Sequence, residues 1–166
     1  TFRAMNRWLS WPILSFHETI ERDHYTSMQK KVIVLSDTTK KEVVRSLAEI
    51  SPWLERTSDV IGWYEHPAQI ETHALDGVDY LIVFGGDGLL LAVARCLAEY
   101  RIPVIGVNFG KLGFLAEFVM SEFQEQFPGI LAGKNETVSR MMLSCQVRRE
   151  KKVIHSATAL NDAVIK

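Results

Sequence analysis

The residues best suited to chemistry in this chain form the turn Gly85-Gly86-Asp87-Gly88. Glycines can take positive φ and let the backbone approach a ligand without interference from a Cβ atom. A helix that begins here points its unpaired N–H groups at the ligand, which suits a phosphate group. A carboxylate would repel a bound anion, so we expect Asp87 to handle a proton or a metal ion. The alternative is a tight strand-to-helix turn in which Asp87 only caps the helix.

The flanking residues place this turn between a buried strand and a buried helix. The apolar run 80–84 comes directly before it, and the leucine-rich stretch 89–98 is apolar around most of a helix. A second apolar run, 103–107, leads into the glycine-containing segment 108–115. Open parallel sheets bind ligands beyond the carboxyl ends of their strands. Two glycine segments that leave adjacent strands are therefore expected to converge on one site.

The remaining periodicity predicts an α/β fold class. Short apolar runs predict strands at about 31–36, 59–64, 79–84 and 103–107, with boundaries good to about 2–4 residues. From Val138 onward, alternating apolar and polar residues predict antiparallel β structure. It turns near Arg149–Lys152 as a hairpin, and the strand pattern then runs to the last residue, Lys166. A parallel sheet is thus followed by the start of an antiparallel β domain.

Helix boundaries are predicted from caps and prolines. Thr38 or Thr39 can cap a helix after the first predicted strand, and Ser51-Pro52 is expected to end or kink it. Ser121 and Gln124 have the spacing of a capping box for another helix, which Pro128 is expected to break. Residues 1–29 mix aromatic and charged side chains without a clean period. They are interpreted as an appendage whose aromatic side chains dock on the domain or on a partner.

Composition restricts the partners of the chain. Its 166 residues, 47% hydrophobic and 23% charged, can bury a core of one domain or slightly more. A net charge of −1 creates no global field that attracts nucleic acid or an acidic membrane. No apolar run approaches the roughly 20 residues of a membrane span. Cys96 and Cys145 lack neighbours at metal-ligand spacing, which predicts small buried side chains in a reducing compartment. We expect a cytoplasmic protein without nucleic-acid or membrane partners.

Three motifs together resemble one family. The glycine turn alone occurs in several phosphotransferase families, including diacylglycerol and sphingosine kinases, phosphofructokinases and NAD kinases. The segment 105–115 (IGVNFGKLGFL) closely resembles the second NAD kinase signature, and 159–165 (ALNDAVI) resembles the Asn-Glu/Asp signature of that family. The motifs follow one another in the family's order, and the resemblance covers roughly residues 30–166.

The resemblance implies an architecture and a reaction. A Rossmann-like domain at 30–135 would be followed by the start of a β-rich NAD-binding domain at 136–166, with the active site between them. The appendage at 1–29 lies outside the resemblance. The implied reaction moves the γ-phosphoryl group of ATP, or of polyphosphate, to the 2′-hydroxyl of the adenosine ribose of NAD, giving NADP. It depends on Mg²⁺ or another divalent cation, and the family is usually oligomeric, which implies a homo-oligomer.

The resemblance also assigns roles to residues. Asp87 is implied to accept the proton of the 2′-hydroxyl, while Gly85, Gly86 and Gly88 shape the phosphate-binding turn. The other implied nucleotide-binding residues are Leu91, Asn108, Leu112, Phe114, Asn161 and Asp162. No metal ligand is assigned.

Two departures from the family pattern leave other functions open. Leu89 stands where the family usually has Thr or Asn, so a polar group that could meet a phosphate is missing. The family's glycine-rich C-terminal segments are also absent from these 166 residues. We therefore expect the front part of a longer protein, and no catalysis by this chain alone. One alternative is another kinase with the same turn, such as a lipid kinase; the other is a nucleotide-binding module that has lost catalysis.

Overall fold

The computed structural model describes residues 29–109 and 115–162 in full, and the backbone of residues 3–18. The strands are β1 (Arg3–Glu18), β2 (Lys31–Ser36), β3 (Asp59–Tyr64), β4 (Tyr80–Phe84), β5 (Val104–Asn108), β6 (Phe118–Val119), β7 (Asn135–Arg149) and β8 (Lys152–Leu160). The α-helices are α1 (Lys41–Thr57), α2 (Asp87–Leu97) and α3 (Met120–Leu131). Short 3-10 turns occupy Pro67–Gln69, Thr72–Leu75 and Ala98–Tyr100.

The described strands form one sheet with a parallel and an antiparallel part. Their order is β3-β2-β4-β5-β1-β7-β8, and β6 pairs with the end of β5. Strands β3, β2, β4, β5 and β6 are parallel to their neighbours, whereas β7 runs antiparallel to β1 and β8 antiparallel to β7. The predicted α/β fold class, with a parallel sheet followed by antiparallel β structure, is confirmed. The four predicted parallel strands match β2 to β5 within one residue at each end.

The central strands are apolar throughout because the sheet is covered on both faces. Successive side chains of a strand point to opposite faces. In β2, Val32 and Val34 join a core cluster that includes side chains of α1 and α3, while Ile33 and Leu35 join the cluster on the other face, with α2. Met142 and Leu160 of the hairpin also pack into the α2 cluster. The hairpin is thereby attached to the same face of the sheet as α2.

The N-terminal segment contains a strand that its sequence pattern did not predict. β1 lies inside the sheet, parallel to β5 at Ile13 and Val104 and antiparallel to β7 over most of its length. These partners are roughly 90 and 125 positions away along the chain, so no local window shows the pairing. The docking of the aromatic side chains of this segment lies outside the described residues. The division of the chain at about residues 30 and 135 stays a prediction.

The prolines lie inside the helices and do not end them, and a kink at either proline stays a prediction. α1 continues through Pro52 to Thr57, and α3 continues through Pro128 to Leu131. Buried side chains beyond each proline, Leu54 in α1 and Ile130 in α3, pack on the sheet and hold the last turn in place. Tertiary packing thus outweighs the lost hydrogen bond.

The predicted caps are also wrong in detail. Lys40, and not a threonine, precedes the first turn of α1, and its side chain makes no capping hydrogen bond. The hydroxyl of Thr39 donates to Asp37 instead of capping the helix. α3 begins at Met120, one residue before the predicted Ser121. The N–H of Val119, just before the helix, donates to the Glu122 carboxylate at 3.2 Å.

The hairpin prediction is confirmed, with a two-residue turn. Arg149 pairs with Lys152, and Glu150 and Lys151 between them have φ of 49° and 67°. Positive φ at both turn residues is the geometry that matches the twist of a hairpin. The strand pattern predicted up to Lys166 is interrupted after β8, because β8 stops at Leu160 and Asn161 takes a φ of 61°. Residues 163–166 lie outside the description.

Candidate active site

The glycine turn joins β4 to α2 at the carboxyl edge of the parallel sheet. The N–H of Gly85 donates to the carbonyl of Val107 in β5 at 2.9 Å, which extends the strand pairing by one residue. Gly86 then precedes the first turn of α2, and its carbonyl accepts the N–H of Leu89 at 3.1 Å. α2 begins at Asp87. The amino-terminal end of α2 therefore lies at the turn, as the sequence predicts.

The glycines serve close approach and not positive φ. Gly86 has a φ of −93°, and neither Gly85 nor Gly88 has positive φ. A Cβ atom added to Gly85 would lie 3.1 Å from Cδ2 of Leu89, whereas one added to Gly86 or Gly88 would meet no described atom within 4 Å. The backbone at these two glycines is therefore open to close approach by another group.

Gly106 of the second motif lies inside β5, at a position where a side chain would clash with its neighbours. A Cβ atom there would lie 3.0 Å from Cδ1 of Leu90 and 3.1 Å from the Cα atom of Ala116. The absent side chain lets α2 and the segment before β6 pack closely on the strand. Gly106 therefore allows the close packing of the elements that form the candidate site.

Asp87 connects the glycine turn to the second glycine segment. Its side chain is half-buried, and its Oδ1 accepts the backbone N–H of Leu115 at 3.2 Å. Leu115 directly follows residues 110–114, which lie outside the described part of the chain. The two motifs leave the adjacent strands β4 and β5. The expected convergence at this edge is therefore present between Asp87 and Leu115.

The other predicted site residues near this edge have different surroundings. Asn108 ends β5, is half-buried, and pairs with Val119 of β6. Leu91 is partly buried and packs against the α2 core cluster, as does Leu89. Leu112 and Phe114 lie outside the described residues.

Asn161 and Asp162 follow β8 and lie beside α2. The backbone N–H of Asn161 donates to the carbonyl of Met141 at 2.9 Å. Asp162 lines a cavity of about 520 Å³ with Arg95, Cys145 and residues 156–159. Arg95 is eight positions after Asp87 on α2, or about 12 Å along the helix axis. The third motif thus adjoins the opposite end of α2 from the glycine turn.

A carboxylate that sequence reasoning missed lies next to the turn. Asp37 follows β2, and its backbone N–H donates to the carbonyl of Phe84 at 3.2 Å. The hydroxyl of Thr39 donates to its carboxylate, and Nζ of Lys40 lies 3.5 Å from Oδ2. The Thr39 hydroxyl lowers the pKa of Asp37, with Lys40 adding to the effect. The available signal was its position at the carboxyl end of a strand, where parallel sheets place functional groups.

A second carboxylate fixes the segment after Leu115. Glu117 forms an ion pair with Arg140 of β7, with 3.6 Å between Oε1 and a guanidinium nitrogen. Burial raises the pKa of Glu117, while the charge of Arg140 acts in the opposite direction. The pair joins the α/β part of the chain to the hairpin.

Three further expectations concern cysteines, metals and membranes. The prediction that both cysteines are buried is wrong, because Cys96 is exposed on α2 and Cys145 is only half-buried. Within residues 29–109 and 115–162, no three His, Cys, Asp or Glu side chains cluster as a metal site would require. Among the helices described, none has the length and apolar character to cross a membrane.

Comparison with known proteins decides the family. The family model described as the ATP-NAD kinase N-terminal domain matches residues 10–135, which is most of the chain. The chain belongs to the ATP-NAD kinase family. The match begins within β1, so it includes part of the segment for which the sequence pattern predicted no regular structure.

Curated relatives of the chain are named NAD kinase. It is 44% identical over 90 residues to an NAD kinase of Alcanivorax borkumensis, covering 54% of this chain and 30% of that protein. It is 39% identical over 109 residues to an NAD kinase of Cupriavidus pinatubonensis, covering 66% and 36% of the two proteins. The chain thus spans about a third of the curated relatives that it matches.

The chain is similar in fold to a solved structure. Yeast NADH kinase, crystallised as a complex with NADH, superposes with a TM-score of 0.51 at 14% identity. The superposition covers 91% of this chain and 53% of the yeast chain. At this identity the likeness concerns the fold alone.

Proposed function

We propose that the full-length protein is an NAD kinase. It moves the γ-phosphoryl group of ATP, or of polyphosphate, to the 2′-hydroxyl of the adenosine ribose of NAD, and the products are NADP and ADP or a shortened polyphosphate. The observation that carries the proposal is Asp87. Its carboxylate lies at the first turn of α2, inside an open glycine turn, and is held by the N–H of Leu115.

In this proposal the chain supplies a base and a phosphate seat. The 2′-hydroxyl gives its proton to Asp87 as its oxygen bonds to the γ-phosphorus, and the bond from that phosphorus to the leaving phosphate oxygen breaks. The backbone at Gly85, Gly86 and Gly88 receives the phosphates together with the first N–H groups of α2. Phosphoryl transfer requires mainly positioning and charge stabilisation, which this arrangement can provide.

The remaining predicted residues would bind the nucleotides. Asn161 and Asp162 would contact the dinucleotide, and the polar cavity beside Asp162 is consistent with such a role. Leu91, Asn108, Leu112 and Phe114 would line the pocket for the base and ribose. These assignments rest on the family's motifs.

A divalent cation fits the donor set of this turn. Mg²⁺ commonly binds through one or two carboxylates together with substrate phosphates and water. Asp87 is the carboxylate that the glycine turn offers, so most ligands would come from the nucleotide. The ion, when bound, neutralises charge on the transferring phosphoryl group.

The deciding experiment is phosphorylation of NAD by the full-length protein with ATP and Mg²⁺, measured as NADP formed. A parallel reaction with diacylglycerol as acceptor tests the lipid kinase alternative. Formation of NADP and no phosphorylated lipid is the expected result. Absence of NADP, with NAD and ATP both bound in calorimetry, would instead favour a nucleotide-binding module without catalysis. Leu89 favours the nucleotide-binding module without catalysis, because its side chain offers no hydroxyl or amide to a phosphate.

A further inference from the structure

The position of Asp87 depends on a backbone segment that follows β5. Its Oδ1 accepts the N–H of Leu115 at 3.2 Å, so a shift of that backbone changes the direction in which the carboxylate points. The segment is packed tightly, because Leu115, Ala116 and Phe118 are all buried. Such a segment moves as a unit and not residue by residue.

An ion pair between Glu117 and Arg140 of β7 connects the same segment to the hairpin. Glu117 lies between buried neighbours and has 22% of its side chain exposed, and its partner Arg140 has 32% exposed. Ion pairs on a fully exposed surface contribute little, but partial burial reduces screening by solvent and salt. Nε of Arg140 is buried without a hydrogen-bond partner among the described residues. Among the described residues, Glu117 is the ion-pair partner of this guanidinium group.

We propose that Glu117 and Arg140 are a positioning pair, through which strand β7 fixes the segment 115–118 and, by the Leu115 N–H, the Asp87 carboxylate. The pair sets the geometry of the base without contacting substrate. Its kinetic consequences rest on the proposed NAD kinase function, whereas the mechanical link to Leu115 does not.

The kinetic test uses the full-length protein and the substitution Arg140→Met, which removes the charged guanidinium group and keeps an unbranched apolar side chain. Misplacing a catalytic group by a fraction of an ångström is costly, so we expect kcat to fall about tenfold. The KM for NAD should stay within about twofold, because the pair does not contact substrate. Arg140→Lys, which keeps the charge, should recover part of kcat. The double variant Glu117→Gln/Arg140→Met should be no slower than Arg140→Met, since both changes break one contact.

Arg148→Met is the matched control. Arg148 lies on the same strand, is also half-buried, and has a buried Nε without a partner among the described residues, but its guanidinium donates to Gln146. Its substitution should leave kcat unchanged. An equal loss of kcat in Arg140→Met and Arg148→Met would assign the effect to the hairpin in general and overturn the proposal.

Hydrogen exchange at the Leu115 amide separates this inference from the proposed function. In Arg140→Met we expect exchange at Leu115 to quicken at least tenfold, while amides of the buried strands β2 and β4 and those of Arg148→Met keep their rates. Unchanged exchange at Leu115 overturns the positioning pair whatever the activity. If the wild type makes no NADP, the proposed function fails, and the exchange result still decides the positioning pair.

Discussion

At the scale of single residues, Asp87 has two roles that the structure allows to be separated. It begins α2 and holds the Leu115 N–H, and in the proposed reaction it also accepts a proton. Asparagine keeps the size of the side chain and its carbonyl oxygen, so it can hold the N–H but cannot take the proton.

Asp87→Asn in the full-length protein should therefore fold normally and lose turnover. Removing a general base costs ~10²–10⁴ in rate. Steady-state NADP formation measures the loss, and thermal unfolding of the same preparation serves as the control. A variant that keeps more than about half of the wild-type kcat would leave Asp87 only a structural role.

Two glycines of the site allow a matched comparison. Gly88→Ala places a methyl group where no described atom lies within 4 Å, so stability should be kept or should rise by the ~1 kcal/mol that alanine gains in a helix. Activity should fall, because the methyl group narrows the approach to the phosphate seat. Gly106→Ala should instead lower stability by ~1–3 kcal/mol, since Leu90 and the backbone of Ala116 are in the way.

Denaturant unfolding and kcat/KM, measured on both glycine variants, test this assignment. If Gly88→Ala keeps full activity, a ligand does not approach the turn at that residue. If Gly106→Ala is as stable as the wild type, the packing role inferred for Gly106 is wrong.

Leu89 packs against its neighbours, as the apolar pattern of 89–98 predicts. Its side chain lies against Gly85 and the α2 core cluster. Leu89→Thr should therefore lower the free energy of unfolding by about 1–2 kcal/mol through lost apolar burial. The KM for ATP should change less than twofold. A severalfold lower KM for ATP at unchanged stability would show that a hydroxyl at this position meets the phosphate donor, as the family pattern suggests.

At the scale of elements, the hairpin turn is strained by its sequence. Glu150 and Lys151 both have positive φ, a backbone region that costs residues with a Cβ atom roughly 1 kcal/mol each. Asn-Gly is the pair best suited to this turn. The substitutions Glu150→Asn and Lys151→Gly together should raise the free energy of unfolding by about 1 kcal/mol and leave activity unchanged.

The matched control for the turn is Glu150→Ala with Lys151→Ala. It removes the same two charges and keeps the strain, so it should not stabilise the protein. Differential scanning calorimetry on both variants measures the difference. Equal stabilisation by the two pairs would mean that charge, and not backbone strain, limits the turn.

At the scale of the whole molecule, β8 is the last strand of the sheet among the described residues, and no described strand pairs with its outer edge. Val153 and Ile154 on this strand are exposed, Ile154 at 57%. Open apolar edge strands pair with other strands. The chain also spans only about a third of the relatives that it matches. We expect the 166-residue chain by itself to self-associate through β8 and to form no NADP.

Light scattering measures the association, and a sensitive coupled assay for NADP measures the activity. The variant Ile154→Lys puts a charge on the edge and should shift the chain toward the monomer. A wild-type fragment that is monomeric and turns over NAD would contradict both parts. It would also mean that the polar groups which NAD needs all lie before Lys166.

The sequence alone determined the features that depend on neighbouring residues. Strands β2 to β5, the glycine turn with the start of α2, and the hairpin all follow from local periodicity and turn chemistry, because each side chain's preference acts within a few positions. The three motifs likewise predicted the family. Strands β2 to β5 were predicted within one residue at each end, whereas β7 begins three residues before the predicted Val138.

Only the tertiary structure decided what depends on distant pairing. It placed β1 between β5 and β7, carried α1 and α3 past their prolines, and put Asp37 beside the glycine turn. It also set Leu115 against Asp87 and Glu117 against Arg140. The physical reason is common to all of them: packing and pairing free energies between segments far apart in sequence exceed the local preferences of about 1 kcal/mol per residue, and no window along the chain contains both partners.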